Sequence, residues 1–135
     1  MGQSLLILLD THVVIWLAQD YSRITPRAHA AIEEARTKDD GVAVSVITLF
    51  EIVLLARRGR IRLTPGLETF LPEVERHFVV FPITGNIALQ AFELPAGYPK
   101  DPADRIIGAT AWVEGIPLIT ADREIRKSRA LATIW

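Results

Sequence analysis

The chain's strongest constraint is a set of short, wholly apolar runs that read as strands. Leu5-Leu6-Ile7-Leu8-Leu9 is apolar on both faces of an extended backbone and stops at Asp10. A short run of this kind suits a central parallel strand covered on both sides. Val42-Ala43-Val44, Val79-Val80-Phe81 and Pro117-Leu118-Ile119-Thr120 repeat the pattern. No run approaches the roughly 18–20 apolar residues of a membrane span.

The stretches between these runs read as helices. Val13-Val14-Ile15-Trp16-Leu17 is a short helix or a continuation of the apolar packing. Pro26 sits at a first helical position after Thr25 as N-cap, and the helix runs to about Lys38 on the stripe Ala28, Ala31, Ile32 and Ala35. Asp39-Asp40-Gly41 is a turn. Residues 46–57 form a helix ending in Arg57 and Arg58, with Gly59 just beyond its C-cap. A weaker helix covers about 67–76 and another 85–93; prolines make 94–102 a loop. A helix starts near Pro102 and ends at Gly115, and a short helical turn and a Thr133-Ile134-Trp135 strand close the chain. The alternation β-α-α-β-α-α-β-α-α-β defines an α/β domain with a mostly parallel sheet between helical layers. No repeat or linker divides residues 1–135, so a single domain is expected.

Composition excludes several chemistries. With no cysteine, disulfides, thiol catalysis and Cys-zinc sites are out, and the absence fits a cytoplasmic protein. His12, His29 and His77 lack metal-ligand spacing, and His12 reads as a packing or hydrogen-bonding residue. No phosphate-cradling glycine loop or nucleophile elbow is present. A net charge of −1 rules out a generic polycation, yet cations gather at Arg57, Arg58, Arg60 and Arg62 and again at Arg123, Arg126, Lys127 and Arg129.

Four acids stand where packing alone would not put them. Asp10 ends the first strand and Asp122 follows the fourth; in an open α/β sheet, ligands bind beyond the carboxyl ends of strands. Asp104 lies in the first turn of the helix opened by Pro102, with Asp101 as its N-cap. Glu51 interrupts the otherwise apolar helix 46–57, which should be largely buried; with Ser45 and Thr48 it makes one narrow polar stripe. Each acid has an ordinary role available: a turn, a cap, a first-turn charge, or for Glu51 a pairing with Arg105. Those roles do not explain why the acids converge on one sheet edge. Carboxylates sharing a cleft repel unless cations neutralise them, and Mg²⁺ or Mn²⁺ suits all-oxygen donors.

These segments resemble one family along the whole chain. Leu8-Leu9-Asp10-Thr11-His12-Val13-Val14-Ile15-Trp16-Leu17 resembles the opening of PIN-domain ribonucleases of the VapC toxin type. The stretch from Ser45 to Ile52 resembles their second motif, Asp101-Pro102-Ala103-Asp104-Arg105 opens the third, and Leu118-Ile119-Thr120-Ala121-Asp122 resembles the fourth. Pro99-Lys100 stand where members often have His or Gly, a difference at the rim of the cleft.

The resemblance implies a PIN-like three-layer α/β/α fold and a metal-dependent endoribonuclease, the toxin of a toxin–antitoxin pair. Asp10, Glu51, Asp104 and Asp122 would be catalytic, with Asp10, Asp104 and Asp122 on Mg²⁺ or Mn²⁺; Asp101, Thr11, Thr48 and Thr120 would be accessory. One or two ions would activate water for phosphodiester hydrolysis. Arg57, Arg58, Arg60, Arg62, Arg123 and Arg126 are candidate RNA contacts. The implied partners are an antitoxin, an RNA substrate and a second copy in a homodimer, with no membrane. The alternative is a catalytically weak PIN fold that binds RNA or protein. A receiver domain would need an aspartate after the third strand, where Phe81-Pro82-Ile83 stand. A haloacid-dehalogenase-like phosphatase would need an acid at His12.

Overall fold

Five short strands, all parallel, lie in the order β3-β2-β1-β4-β5. The computed structural model describes residues 6–38 and 41–135. The strands are β1 (Ile7–Leu9), β2 (Val42–Ser45), β3 (Val79–Phe81), β4 (Leu118–Ile119) and β5 (Thr133–Ile134). The helices are α1 (Thr11–Gln19), α2 (Pro26–Thr37), α3 (Val46–Arg57), α4 (Leu67–His77), α5 (Gly85–Glu93), α6 (Pro102–Glu114) and α7 (Arg123–Ser128). A 3-10 turn, Tyr21–Arg23, joins α1 to α2. The fold is the expected three-layer α/β arrangement. Leu5 and the expected Asp39-Asp40 turn lie outside the described residues. No helix among the described residues is long and apolar enough to cross a membrane.

The register explains the two helical layers. Leu8 pairs with Ala43 and with Leu118, so these three side chains share one face. They pack with Tyr98, with Ile107 and Ala111 of α6, and with Ile125 of α7. Ile7, Leu9, Val42, Val44 and Ile119 point to the other face, against Val13 and Val14 of α1, Ile32 of α2, Ile52 of α3 and Val74 of α4. The period-two alternation of a strand therefore buries both sides of residues that look uniformly apolar in sequence.

The helix ends follow the capping signals. Thr25, Ser45 and Thr84 accept backbone N–H bonds at the starts of α2, α3 and α5. Gly59 and Gly115 close α3 and α6 with φ of 70° and 68°, backbone that favours glycine. One expectation needs correction: α3 is not largely buried. Only Thr48 and Ile52 are fully covered, while Val46 and Phe50 stand 36% and 62% exposed. The helix packs on α1, α4 and α6, and those contacts leave one apolar side facing outward. An all-round apolar pattern cannot reveal which side has no neighbour.

Gly108 carries a close approach. A Cβ there would lie 2.2 Å from the Tyr98 hydroxyl, and Tyr98 is 1% exposed, so it has nowhere to retreat. The same hydroxyl donates to the Asp104 carbonyl at 3.0 Å, tying the 94–102 loop to the start of α6. Gly108→Ala is expected to lower the urea midpoint by the equivalent of about 1–3 kcal/mol, outweighing the gain of about 1 kcal/mol in helix propensity. Adding Tyr98→Phe should recover part of that loss. A double-mutant cycle with no coupling between the two positions would contradict the contact.

Candidate active site

The chain order decides where a site can form. β1 leads to β2 and β3 on one side, and β4 and β5 lie on the other. The sheet therefore reverses direction at β1/β4, where a crevice opens beyond the strand ends. A cavity of about 580 Å³ lies there, lined by Asp10, His12, Val13, Trp16, Arg23, Glu51, Asp101, Asp104, Ala121 and Asp122. All four acids singled out in the sequence line it, together with Asp101.

Three of these acids are also helix caps. Asp10 accepts from Thr11 N–H at the start of α1, Asp101 from Asp104 N–H at α6, and Asp122 from Ile125 N–H at α7. The ordinary structural role and the cleft position are thus not alternatives. The cap bond is what fixes each carboxylate at the carboxyl edge of the sheet.

The threonines link the acids in pairs. The Thr120 hydroxyl donates to Asp10 Oδ2 at 2.6 Å and accepts from Asp122 N–H at 3.0 Å. The Thr11 hydroxyl donates to Glu51 Oε1 at 2.5 Å and lies 3.0 Å from the Thr48 hydroxyl. A hydroxyl has one proton. With the Thr11 proton given to Glu51, Thr48 must donate to Thr11. Thr48, Thr11 and Glu51 therefore form a directed chain that runs from two buried hydroxyls to the half-buried carboxylate.

Arg105 does not pair with Glu51. Its guanidinium donates to the Ala91, Leu94 and Tyr98 carbonyls, bracing the loop before α6. The acids thus meet in the cleft without a neutralising ion pair among the described residues. Burial pushes the Asp104 carboxyl up to about 7, and Asp10, Asp101, Glu51 and Asp122 add to the rise. Burial also raises Asp10, against the opposing bonds from Thr120 and Thr11 N–H. Burial raises Glu51 too, while the Thr11 bond opposes the rise and the charge of Asp10 adds to it.

Crowded, uncompensated carboxylates are the donor chemistry that a hard divalent ion satisfies. As the side chains stand, however, no group of three or more acids and imidazoles among the described residues is close enough to hold one ion. Both Asp10 oxygens are occupied by protein donors, and repulsion opposes closer approach of its neighbours.

The basic candidates fall outside the cleft lining. Arg57, the last residue of α3, and Arg58, Arg60 and Arg62 just beyond it are exposed. Arg123 and Arg126 line a neighbouring hollow with Glu124, Lys127 and Arg129. The sequence reading missed Arg23, took Trp16 for a core or interface residue and set His12 aside as a packing or hydrogen-bonding residue. His12 is exposed in the lining and meets the Trp16 ring at 5.9 Å. Its place on the first turn after Asp10 was a usable signal; the 3-10 turn that brings in Arg23 had none.

The PIN domain family model matches residues 7–131. Ribonuclease VapC22 of Mycobacterium tuberculosis is 38% identical over 131 residues, covering 96% of this chain and 98% of the relative. Among solved structures, VapBC2 of Rickettsia felis, bound to a DNA fragment from its promoter, matches with a TM-score of 0.70 at 16% identity, over 95% of this chain and 96% of that one. DNA-bound VapBC of Salmonella typhimurium matches at 0.67 and 22% identity, over 94% and 95%. At these identities the two structures show a shared fold.

Asp104 keeps its proton in the folded, metal-free protein between about pH 4 and 7, where the unfolded chain has already lost it. The folded state then binds more protons, so stability in EDTA should fall as pH rises through that window. Asp104→Asn should flatten the dependence, as read from urea midpoints. Glu51→Gln removes a charge from a group of like charges, so apo stability should hold or rise. A loss of about 3–5 kcal/mol would instead mark a broken buried ion pair.

Proposed function

We propose that this chain, which belongs to the PIN domain family, is a metal-dependent endoribonuclease that hydrolyses RNA phosphodiester bonds as the toxin of a toxin–antitoxin pair. The observation that carries the reading is the single cleft holding Asp10, Glu51, Asp104 and Asp122. The 38% identity to a ribonuclease over nearly the whole chain supports it independently. The unpaired acidic set argues against a PIN fold that only binds.

Asp10, Asp104 and Asp122 would hold Mg²⁺ or Mn²⁺. When bound, the ion supplies a nucleophilic hydroxide at neutral pH and stabilises charge on the phosphoryl oxygens. The chain's own groups have distinct tasks. Thr120 holds Asp10 from the side and ties it to the Asp122 backbone. The Thr48–Thr11 chain orients Glu51, leaving its second oxygen to accept a proton from water. No histidine base is needed for that step. Asp101 is an accessory acid at the rim, fixed by its cap bond.

The exposed apolar residues Leu89 and Phe92 on α5, beside the apolar hollow of Ile83, Ala91 and Ile106, support protein partners: an antitoxin and a second copy of the chain. The cytoplasm is the proposed compartment, in keeping with the absence of cysteine.

Asp10→Asn should lower RNA cleavage in Mn²⁺ at least about 100-fold, since several kcal/mol of transition-state stabilisation depend on the ion. The fold should survive: the new amide can donate to the Thr120 hydroxyl, which has lone pairs to accept it. Mapping new ends in total RNA, with and without Mn²⁺, checks the reading. Equal cleavage by wild type and variant, at matched metal, rejects the assignment.

A further inference from the structure

A polyanion cannot approach five carboxylates without a cation to meet it. The cleft has one arginine or lysine among its lining residues, Arg23. Its guanidinium carbon lies 4.4 Å from the centroid of the Trp16 ring. Trp16 is itself held at 5.9 Å from both His12 and Trp135. The backbone is fixed too: Arg23 N–H donates to the Asp20 carbonyl at 3.0 Å, and the next residue, Ile24, is buried in the core.

Although it shares a cavity with acids, Arg23 makes no ion pair among the described residues, and its side chain makes no hydrogen bond there. The contact holds the guanidinium over the Trp16 ring, and its donors take no partner among the described residues. A planar cation with an open fork of donors matches a phosphate and loses little freedom on binding it. An arginine present only to balance the cleft would lie on a carboxylate instead.

We propose that Arg23, stacked on Trp16 at the mouth of the acidic cleft, is the phosphate-binding residue that seats a single-stranded RNA backbone beside the carboxylates. The inference rests on the ribonuclease reading and adds to it the group that lets the substrate enter. The cations of residues 57–62 and 123–129 lie outside the cleft lining.

The test is steady-state cleavage of one single-stranded RNA oligonucleotide in Mn²⁺ across a salt series, with melting temperatures measured alongside. Arg23→Ala should raise KM roughly tenfold or more and change kcat less than about twofold. It should lower the slope of log kcat/KM against log salt by about 0.7, the share of one phosphate contact on a single strand. Arg23→Lys keeps the charge but neither stack nor fork; it should restore the slope and leave KM raised several-fold. Unchanged KM and slope in an active Arg23→Ala enzyme overturn this inference and leave the ribonuclease reading standing. A lowered melting temperature with unmoved KM does the same, by showing a purely structural stack. Full recovery by lysine overturns the stacked clamp. An inactive wild type overturns the ribonuclease reading itself, and this inference with it.

Discussion

Five carboxylates around one cavity repel one another, and the folded chain must hold them there without a neutralising ion pair among the described residues. It does so with backbone and hydroxyl donors. Asp10, Asp101 and Asp122 each take an N–H from the helix they cap. Thr120 and Thr11 supply hydroxyl protons to Asp10 and Glu51. These donors are fixed by helices and by the sheet, so the acids keep their places despite the repulsion. The remaining strain shows in Asp104, whose carboxylate accepts no such bond among the described residues and is pushed up to about 7, first by burial and then by its neighbours.

The same constraint explains how the nearby cations are used. Arg105 stands one residue from Asp104, yet it spends its donors on the Ala91, Leu94 and Tyr98 carbonyls. Arg23 lines the cleft but is held over Trp16. Had either lain on the acids, it would have offset one of their negative charges and competed with a divalent ion for that carboxylate. The resulting instability is local, and the two apolar layers that sandwich β1 carry the fold around it. Tyr98 and the space left by Gly108 then tie the start of α6, and with it Asp104, to the sheet.

Much of this was legible from residue order alone. Short apolar runs pointed to the strands, although Val79 of the edge strand β3 is exposed, and Thr25-Pro26, Gly59 and Gly115 marked helix ends that the structure keeps. The parallel sheet followed from the alternation of strands and helices, because a parallel pair needs a crossover. Asp10, Glu51, Asp104 and Asp122 were visible because an acid at a strand end or inside an apolar helix has no packing reason to be there. By contrast, the exposure of Phe50 was misread, because periodicity reports what a helix face is made of and not what lies beside it.

What the amino-acid sequence determined by itself is local: which segments extend or coil, where helices start, and which acids reach the carboxyl edge of the sheet. These depend on interactions within a few residues, and their signals are periodicity and capping chemistry. Tertiary structure alone decided how the acids are held. Thr120 meets Asp10 across 110 positions and Thr11 meets Glu51 across 40; neither distance leaves a mark in spacing. It also placed Arg23 over Trp16 through an irregular turn, and it sent Arg105 to carbonyls instead of to Glu51. A hydrogen bond between distant segments depends on the register of β1 against β4 and on how α1 and α3 pack, and those are set only when the layers close on the sheet.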